Sequence, residues 1–377
     1  MRFRSGIYLL FLTSIIANAQ DSAAHRAAAL EQQGQWKQAE AAWREVIQQS
    51  PADGVAYAHL GLVFSHEEDY AEAAAAYRKA LALKANLPGI DLNLGLALFK
   101  QEKLDEAISP LKSAVAKAPE NLQAQLLLGM SYYGTAQYEQ AMPYLKAGVD
   151  KNPDNLQLRT LLAQSCLWAG HYDCTLAQYR QILALAPESA QADMLAGEAL
   201  DGENDTQGAI RQFEAAAKMS PTEPNVHFGL GYLLWKQRNY DDAAAQFKLE
   251  LANVPNHAQA LAYLADVEIK QNNSAAAEPL LKKAAQQSGA PRIAFLDLGI
   301  VYAEQGRHDE AVKAFQHAIQ MDPSEVDAHW RLARLYASMG RQQEAKAEFA
   351  KANEIHRQKD EPLATKMTTA PRPNGTP

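Results

Sequence analysis

The sequence predicts an all-α solenoid, and three observations carry that expectation. The chain repeats itself every 34 residues over positions 20–359 without insertion or deletion, in ten copies beginning at residues 20, 54, 88, 122, 156, 190, 224, 258, 292 and 326. The eighth place of every copy is Gly or Ala, and the twentieth is Ala in nine of ten, Thr175 being the exception. A large residue stands at about place 24 (Trp43, Tyr77, Leu111, Tyr144, Tyr179, Phe213, Phe247, Leu281, Phe315 and Phe349), and a proline near the end closes seven copies. A period of this length, with small, small, large and breaker positions fixed within it, marks stacked helical units that bury their cores against neighbours.

The elements follow in order. Residues 1–19 read as a secretory leader: Arg2 and Arg4, an apolar run from about Ile7 to Ile16, then Ala17-Asn18-Ala19. The run is too short to span a bilayer. No cysteine follows it, so no lipid anchor is expected, and cleavage after Ala19 would start the mature chain at the first copy. That copy turns Ser22, Arg26 and Gln33 where the second has Ala56, Leu60 and Glu67, the polar outer face a terminal unit needs. In the third copy a first helix carries Leu94 and Leu98, Glu102-Lys103 makes the turn, and a second helix carries Leu104, Ala107, Leu111 and Ala114 before Pro119 stops it. Gly95 and Ala107 mark where the two helices cross; Gly61, Gly129, Gly197, Gly231, Gly299 and Ala311 hold equivalent places. Pro110, Pro143 and Pro279 fall inside expected second helices, near enough to their starts for the helices to be kept. Cys166 occupies a core place and Cys174 an outward one, which reads as one buried and one idle thiol, with a disulfide as the alternative. Residues 360–377, rich in Pro and Thr, have no apolar period and are expected to be disordered.

This small/small/large/proline grammar resembles the tetratricopeptide repeat family over roughly nine tenths of the chain. Departures are local: place 4 is often polar (Asp91, Gln125, Arg159, Asp193), and Ala85, Gly289 and Arg357 replace the closing proline. The resemblance implies a right-handed superhelix whose first helices line a concave groove through places 2, 5, 6, 9, 12 and 13. It also implies binding rather than catalysis. The clamp by which some members grip a peptide's terminal carboxylate is not reproduced, since Asn93 and Arg331 match it only singly and in distant copies.

Composition narrows the function. A net charge of −8, more negative once Arg2 and Arg4 leave with the leader, offers no basic stripe for phosphates, so nucleic acid is not an expected partner. No phosphate-binding glycine loop, zinc motif or nucleophile elbow occurs, so neither enzyme activity, nor a cofactor, nor a metal is expected. His25, His59 and His66 are expected as solvated surface residues, and Asp201-Gly202-Glu203-Asn204-Asp205 as an interhelical turn rather than a calcium loop.

The groove places are therefore the candidate site. They hold Phe99, Met130, Tyr133, Leu167, Trp168, Met194, Glu198, Asp201, Phe228, Tyr232, Trp235 and Lys236. Tyr263, Asp266, Ile300, Trp330, Arg331 and Arg334 continue the run. The expected function is an exported scaffold, periplasmic or secreted and of bacterial type, binding a protein or peptide segment. The acidic pair Glu198 and Asp201 favours a segment with Lys or Arg beside apolar anchors. A second reading is an envelope assembly component for polysaccharide export or a secretion complex. No membrane span is expected after cleavage, and homo-oligomerisation stays open.

Overall fold

The computed structural model describes residues 19–85 and 87–360. The leader before Ala19, and the Pro- and Thr-rich tail from Pro362, lie outside the described residues. The described residues form twenty α-helices and contain no strand. They divide into two compact units whose boundary falls between Glu203 and Asn204, in the turn of the sixth copy.

The first unit holds α1 (Ala19–Gln32), α2 (Trp36–Gln49), α3 (Gly54–His66), α4 (Tyr70–Ala82), α5 (Ile90–Lys100), α6 (Leu104–Lys117), α7 (Leu122–Gly134), α8 (Tyr138–Lys151), α9 (Leu156–Trp168), α10 (Tyr172–Leu185) and α11 (Ala190–Gly202). The second holds α12 (Thr206–Met219), α13 (Val226–Lys236), α14 (Tyr240–Asn253), α15 (Ala258–Lys270), α16 (Ser274–Ala285), α17 (Arg292–Glu304), α18 (His308–Met321), α19 (Val326–Ser338) and α20 (Gln342–Asp360). Within each unit the two helices of a copy pack on each other, and the second helix packs on the first helix of the next copy. No described helix is long and apolar enough to cross a membrane.

Packing explains the grammar. A Cβ at Gly61, Gly95, Gly231 or Gly299 would stand 2.8, 2.5, 2.7 and 2.4 Å from Tyr77, Leu111, Phe247 and Phe315, so each glycine is a floor for the place-24 side chain of its own copy. Ala107 and Ala311 at place 20 are fully buried opposite, and Gly197 is buried on α11. In the fourth copy the crossing residue is Leu145, fully buried, and not Tyr144, which is half-exposed. The backbone N of Leu145 would lie 3.3 Å from a Cβ on Gly129.

The turn has a requirement that the composition of place 15 conceals. All ten copies put that residue at positive φ: Gly34, Glu68, Glu102, Ala136, Gly170, Asn204, Arg238, Asn272, Gly306 and Gly340. Four are glycine and two asparagine, the residues that tolerate this region, whereas an ordinary L side chain there costs about 1–2 kcal/mol. Ala136, exposed at φ 57°, is therefore expected to gain roughly 0.5–1 kcal/mol on replacement by glycine, after allowing for the unfolded chain's added freedom. A thermal melt checks it; a lower midpoint for Ala136→Gly would contradict the assignment.

Several expectations need correcting. Cys166 and Cys174 are joined by a disulfide between α9 and α10, with Cα atoms 5.8 Å apart. Cys174 lies beside the crossing residue Thr175, where the helices are closest, so it is half-buried and within reach of Cys166. His59 is not solvated: it is 4% exposed, stacked on Trp43 at 4.6 Å, with Nδ1 3.0 Å from Glu31. His66 is exposed but stacked on Trp36 at 3.8 Å. Trp36 opens α2. Pro110, Pro143 and Pro279 sit beyond the first turn of α6, α8 and α16, yet the helices run through them. Pro143 and Pro279 are exposed, so water can satisfy the carbonyl each leaves free.

Candidate functional site

In six copies (α3, α7, α9, α11, α15 and α19) the first helix is capped by the side chain of the residue just before the copy. Asn121 and Asn155 accept hydrogen bonds from the N–H of Ala124 and Leu158, both at 3.0 Å, and Asp53 caps α3 in the same way. So anchored, the helices carry their place-12 and place-13 side chains to the same end of every hairpin. In copies one, three, four and five the residue opening the second helix, at place 17, meets place 13 of the next copy. Trp36 stacks on His66, Tyr138 meets Trp168 in a tilted contact, and Tyr172 lies 2.3 Å from where a Gly202 Cβ would be.

In the first unit this geometry makes a ring cluster. Trp168 lies 5.8 Å from Tyr133 and 4.9 Å from Tyr138, and Tyr133 is 5.9 Å from Tyr138. The Tyr133 hydroxyl donates to Gln164 at 2.7 Å, and burial, with Tyr138 nearby, pushes its pKa up. Trp168 is nevertheless 49% exposed, more than any other Phe, Tyr or Trp ring among the described residues of this unit. Phe99, Met130 and Met194 are half-buried on the same helix series, and Leu167 is core, 7% exposed, because place 12 of α9 turns under the following copy. Glu198 and Asp201 lie on α11, Glu198 exposed and its carboxyl pushed up by desolvation from the surrounding protein. Tyr138 was not anticipated as a site residue; its signal is the aromatic that recurs at place 17 in Trp36, Tyr70, Tyr172 and Tyr240.

The second unit carries a larger cluster. Phe228, Tyr232 and Trp235 line α13, and Tyr263 of α15 touches all three, at 6.0, 5.4 and 5.0 Å. Burial, reinforced by Tyr232 and Asp266, pushes the Tyr263 phenol up to about 12. Trp235 Nε1–H donates to Asp266 at 2.5 Å, and Lys270 donates to the other Asp266 oxygen at 2.7 Å. Lys270 also lies over the Trp235 ring at 5.6 Å and Lys236 over Tyr232 at 5.9 Å. Beyond, a cleft of 340 Å³ is floored by Ile300, Phe315 and Leu335 and edged by Glu304, Arg331 and Arg334.

Glu250 and Asp297 are buried acids of this unit. Copy seven begins Pro224-Asn225, with Asn225 at positive φ and no capping side chain of its own. Glu250 of α14, fully buried, takes over: its oxygens accept from the N–H of Asn225 at 2.9 Å and of Phe228 at 3.2 Å. The sequence signal is that Glu250 is the one charged residue at place 27, held otherwise by Val46, Ala80, Ala114, Gly148, Ile182, Ala216, Ala284, Ala318 and Ala352. Glu250→Gln keeps the shape but loses one of these charge-assisted acceptors, and is expected to cost roughly 1.5–3 kcal/mol in chemical denaturation. An unchanged midpoint would mean that α13 needs no cap.

Asp297 of α17 is 3% exposed, and its Oδ2 has no hydrogen-bond partner. Burial first, then the neighbouring Asp266, raises its pKa well above the ordinary value, against the pull of Lys270 and Arg331; Asp327 adds to the rise. The folded chain therefore holds a proton that the unfolded chain releases above pH ~4. Stability is lost as pH rises from there through the folded value. Asp297→Asn is expected to raise the melting temperature near neutral pH, with the gain vanishing toward acid. A gain independent of pH would contradict it.

Among the described residues no group of three or more His, Cys, Asp and Glu could hold a metal ion. The structure thus brings Tyr133 and Trp168 together in one unit, and Phe228, Tyr232, Trp235 and Lys236 together in the other.

Comparison with known proteins agrees with this architecture. A 121-residue stretch is 31% identical to the protein CTR9 homolog of Arabidopsis thaliana, covering 32% of this chain and 11% of that protein's length. A tetratricopeptide repeat protein from Parabacteroides merdae superposes with a TM-score of 0.52 at 18% identity, over 65% of this chain and 96% of the other. MamA from Desulfovibrio magneticus matches 46% of this chain and 97% of its own at 23% identity, with a TM-score of 0.40. The likeness to the Parabacteroides merdae protein bears on fold alone. Two sequence models of the tetratricopeptide repeat match, one over residues 98–165, 200–249 and 302–368, the other over 26–88, 160–224 and 228–291. Helix pairs, small crossing residues and family models coincide, and the chain belongs to the tetratricopeptide repeat family.

Proposed function

We propose that the protein is an exported, non-enzymatic scaffold that binds a protein or peptide segment on its first-helix faces. The observation that carries this reading is the pair of ring clusters. Trp168 leaves 49% of its surface in water although Tyr133 and Tyr138 pack beside it. Large apolar rings gathered and left uncovered cost solvation in the free chain and are recovered when a partner covers them. Glu198 and Asp201 on α11, the first helix that follows the one carrying Trp168, and Asp266 in the second cluster favour a segment with Lys or Arg near its apolar anchors. The Cys166–Cys174 disulfide supports an oxidising compartment, consistent with a leader over residues 1–19.

Photo-crosslinking tests this directly. A photoreactive residue at Trp168 or Tyr232 is expected to yield discrete protein adducts in cells, and one at Leu249 or Met321, exposed on second helices, is not. Adducts only from the second-helix positions would overturn the reading. Intact mass of the exported chain tests cleavage after Ala19.

A further inference from the structure

The second unit's cluster already holds a cation, and it is the protein's own. Lys270 places its ammonium over the Trp235 ring at 5.6 Å and on an Asp266 oxygen at 2.7 Å. Its side chain is 35% exposed, whereas Asp266 beneath it is 7% exposed. The lysine is therefore a mobile plug in a fixed socket, since a long exposed side chain loses rotamer freedom to stay there. The socket is built from three mutually touching rings, Tyr232, Trp235 and Tyr263, at 5.0–5.9 Å. Their faces attract positive charge.

A second observation points to an external occupant. Asp297, on the next first helix, is buried to 3% exposure and leaves Oδ2 without a hydrogen-bond partner. A buried polar atom without a partner is costly and uncommon in a folded interior, and a cation brought beside it would replace the proton that this carboxyl otherwise holds. Asp297 interacts electrostatically with Asp266 and Lys270 on α15 and with Asp327 and Arg331 on α19. Arg331 is engaged by Asp327 at 2.8 Å and Lys270 by Asp266 at 2.7 Å, so three carboxyl groups here share two cations and Asp297 is the one left without its own.

We propose that a lysine side chain of the bound segment displaces Lys270, setting its ammonium over Trp235 and between Asp266 and the unused Asp297 oxygen. Lysine fits better than arginine because Lys270 shows the site accepting a compact ammonium, and two carboxyls at different depths suit a point charge more than a planar fork. This inference rests on the reading of the first-helix face as the binding surface, and adds the residue type that the face selects.

The test uses the full exported chain and two synthetic probes, the peptide acetyl-Leu-Ala-Lys-Ala-Leu-amide and the same peptide with its lysine Nε-acetylated, titrated by calorimetry. Lys270→Met removes the competing ammonium and is expected to tighten binding of the lysine peptide about tenfold, the size of a partly desolvated ion–ring contact. Acetylation of the probe, or Asp266→Asn, is expected to weaken it by about the same factor, with unchanged helicity. Lys270→Gln serves as a second unplugged variant should the methionine perturb folding. Spermidine competing as well as the peptide would mean that a free amine, not a peptide lysine, is the occupant, and would overturn the proposal. So would equal binding of the acetylated probe, weaker binding to both unplugged variants, or no binding at millimolar peptide. If Trp235→Ala abolishes binding while acetylation does not matter, the lysine assignment fails and the face remains the binding surface.

Discussion

Phe247→Ala is expected to destabilise the second unit by about 3–5 kcal/mol. Phe247 is fully buried and lies against Gly231, where an added Cβ would stand 2.7 Å from its ring. Truncation therefore opens a cavity whose floor is a glycine with no side chain to collapse into the space, the circumstance in which large-to-small changes cost most. The ring also supports two members of the aromatic cluster, Phe228 and Tyr263, both at 6.0 Å. Because repeats are coupled to their neighbours, the loss should spread beyond the seventh copy. Denaturant unfolding followed by circular dichroism measures it, with Lys248→Ala, at the exposed next position, expected within about 0.5 kcal/mol of the parent. An unchanged midpoint for Phe247→Ala would mean that the small and large places do not pack as described.

The fold was legible in the sequence because its constraints recur. Gly95 against Leu111 and Gly299 against Phe315 solve the same steric problem, so ten copies show it as a period. What escaped were features that occur once or whose cost is carried by backbone. Place 15 is left-handed in every copy, yet Glu68, Glu102, Ala136 and Arg238 hide it, because the array tolerates the strain. Cys174 looked idle because alternation along one helix says nothing of the neighbouring helix that brings Cys166 to it. Leu167 and Trp168 stand at adjacent places, and only packing separates the buried one from the exposed one. Asp297 sits between Leu296 and Leu298, so its isolation becomes visible only when the helices around it are in place. Glu250, by contrast, could have been found from the sequence, as a charge at a place otherwise small or apolar.

Quantitative capture of the partner by ring variants tests the central claim most directly. Trp168→Ala and Trp235→Ala each remove an aromatic anchor from one unit's cluster, and anchors of this type commonly carry 2 kcal/mol or more of binding, about thirtyfold in affinity. Trp168 is 49% exposed, so its loss should leave the fold unchanged, and helicity checks Trp235→Ala for damage to its bond with Asp266. Leu249→Ala and Met321→Ala, at 46% and 45% exposure on second helices, are the matched controls. Binding that falls about thirtyfold in the tryptophan variants and stays at the parental level in the controls is the expected result. Binding at the parental level in both tryptophan variants, with loss in Leu249→Ala or Met321→Ala, would place the partner on the second-helix face and contradict it.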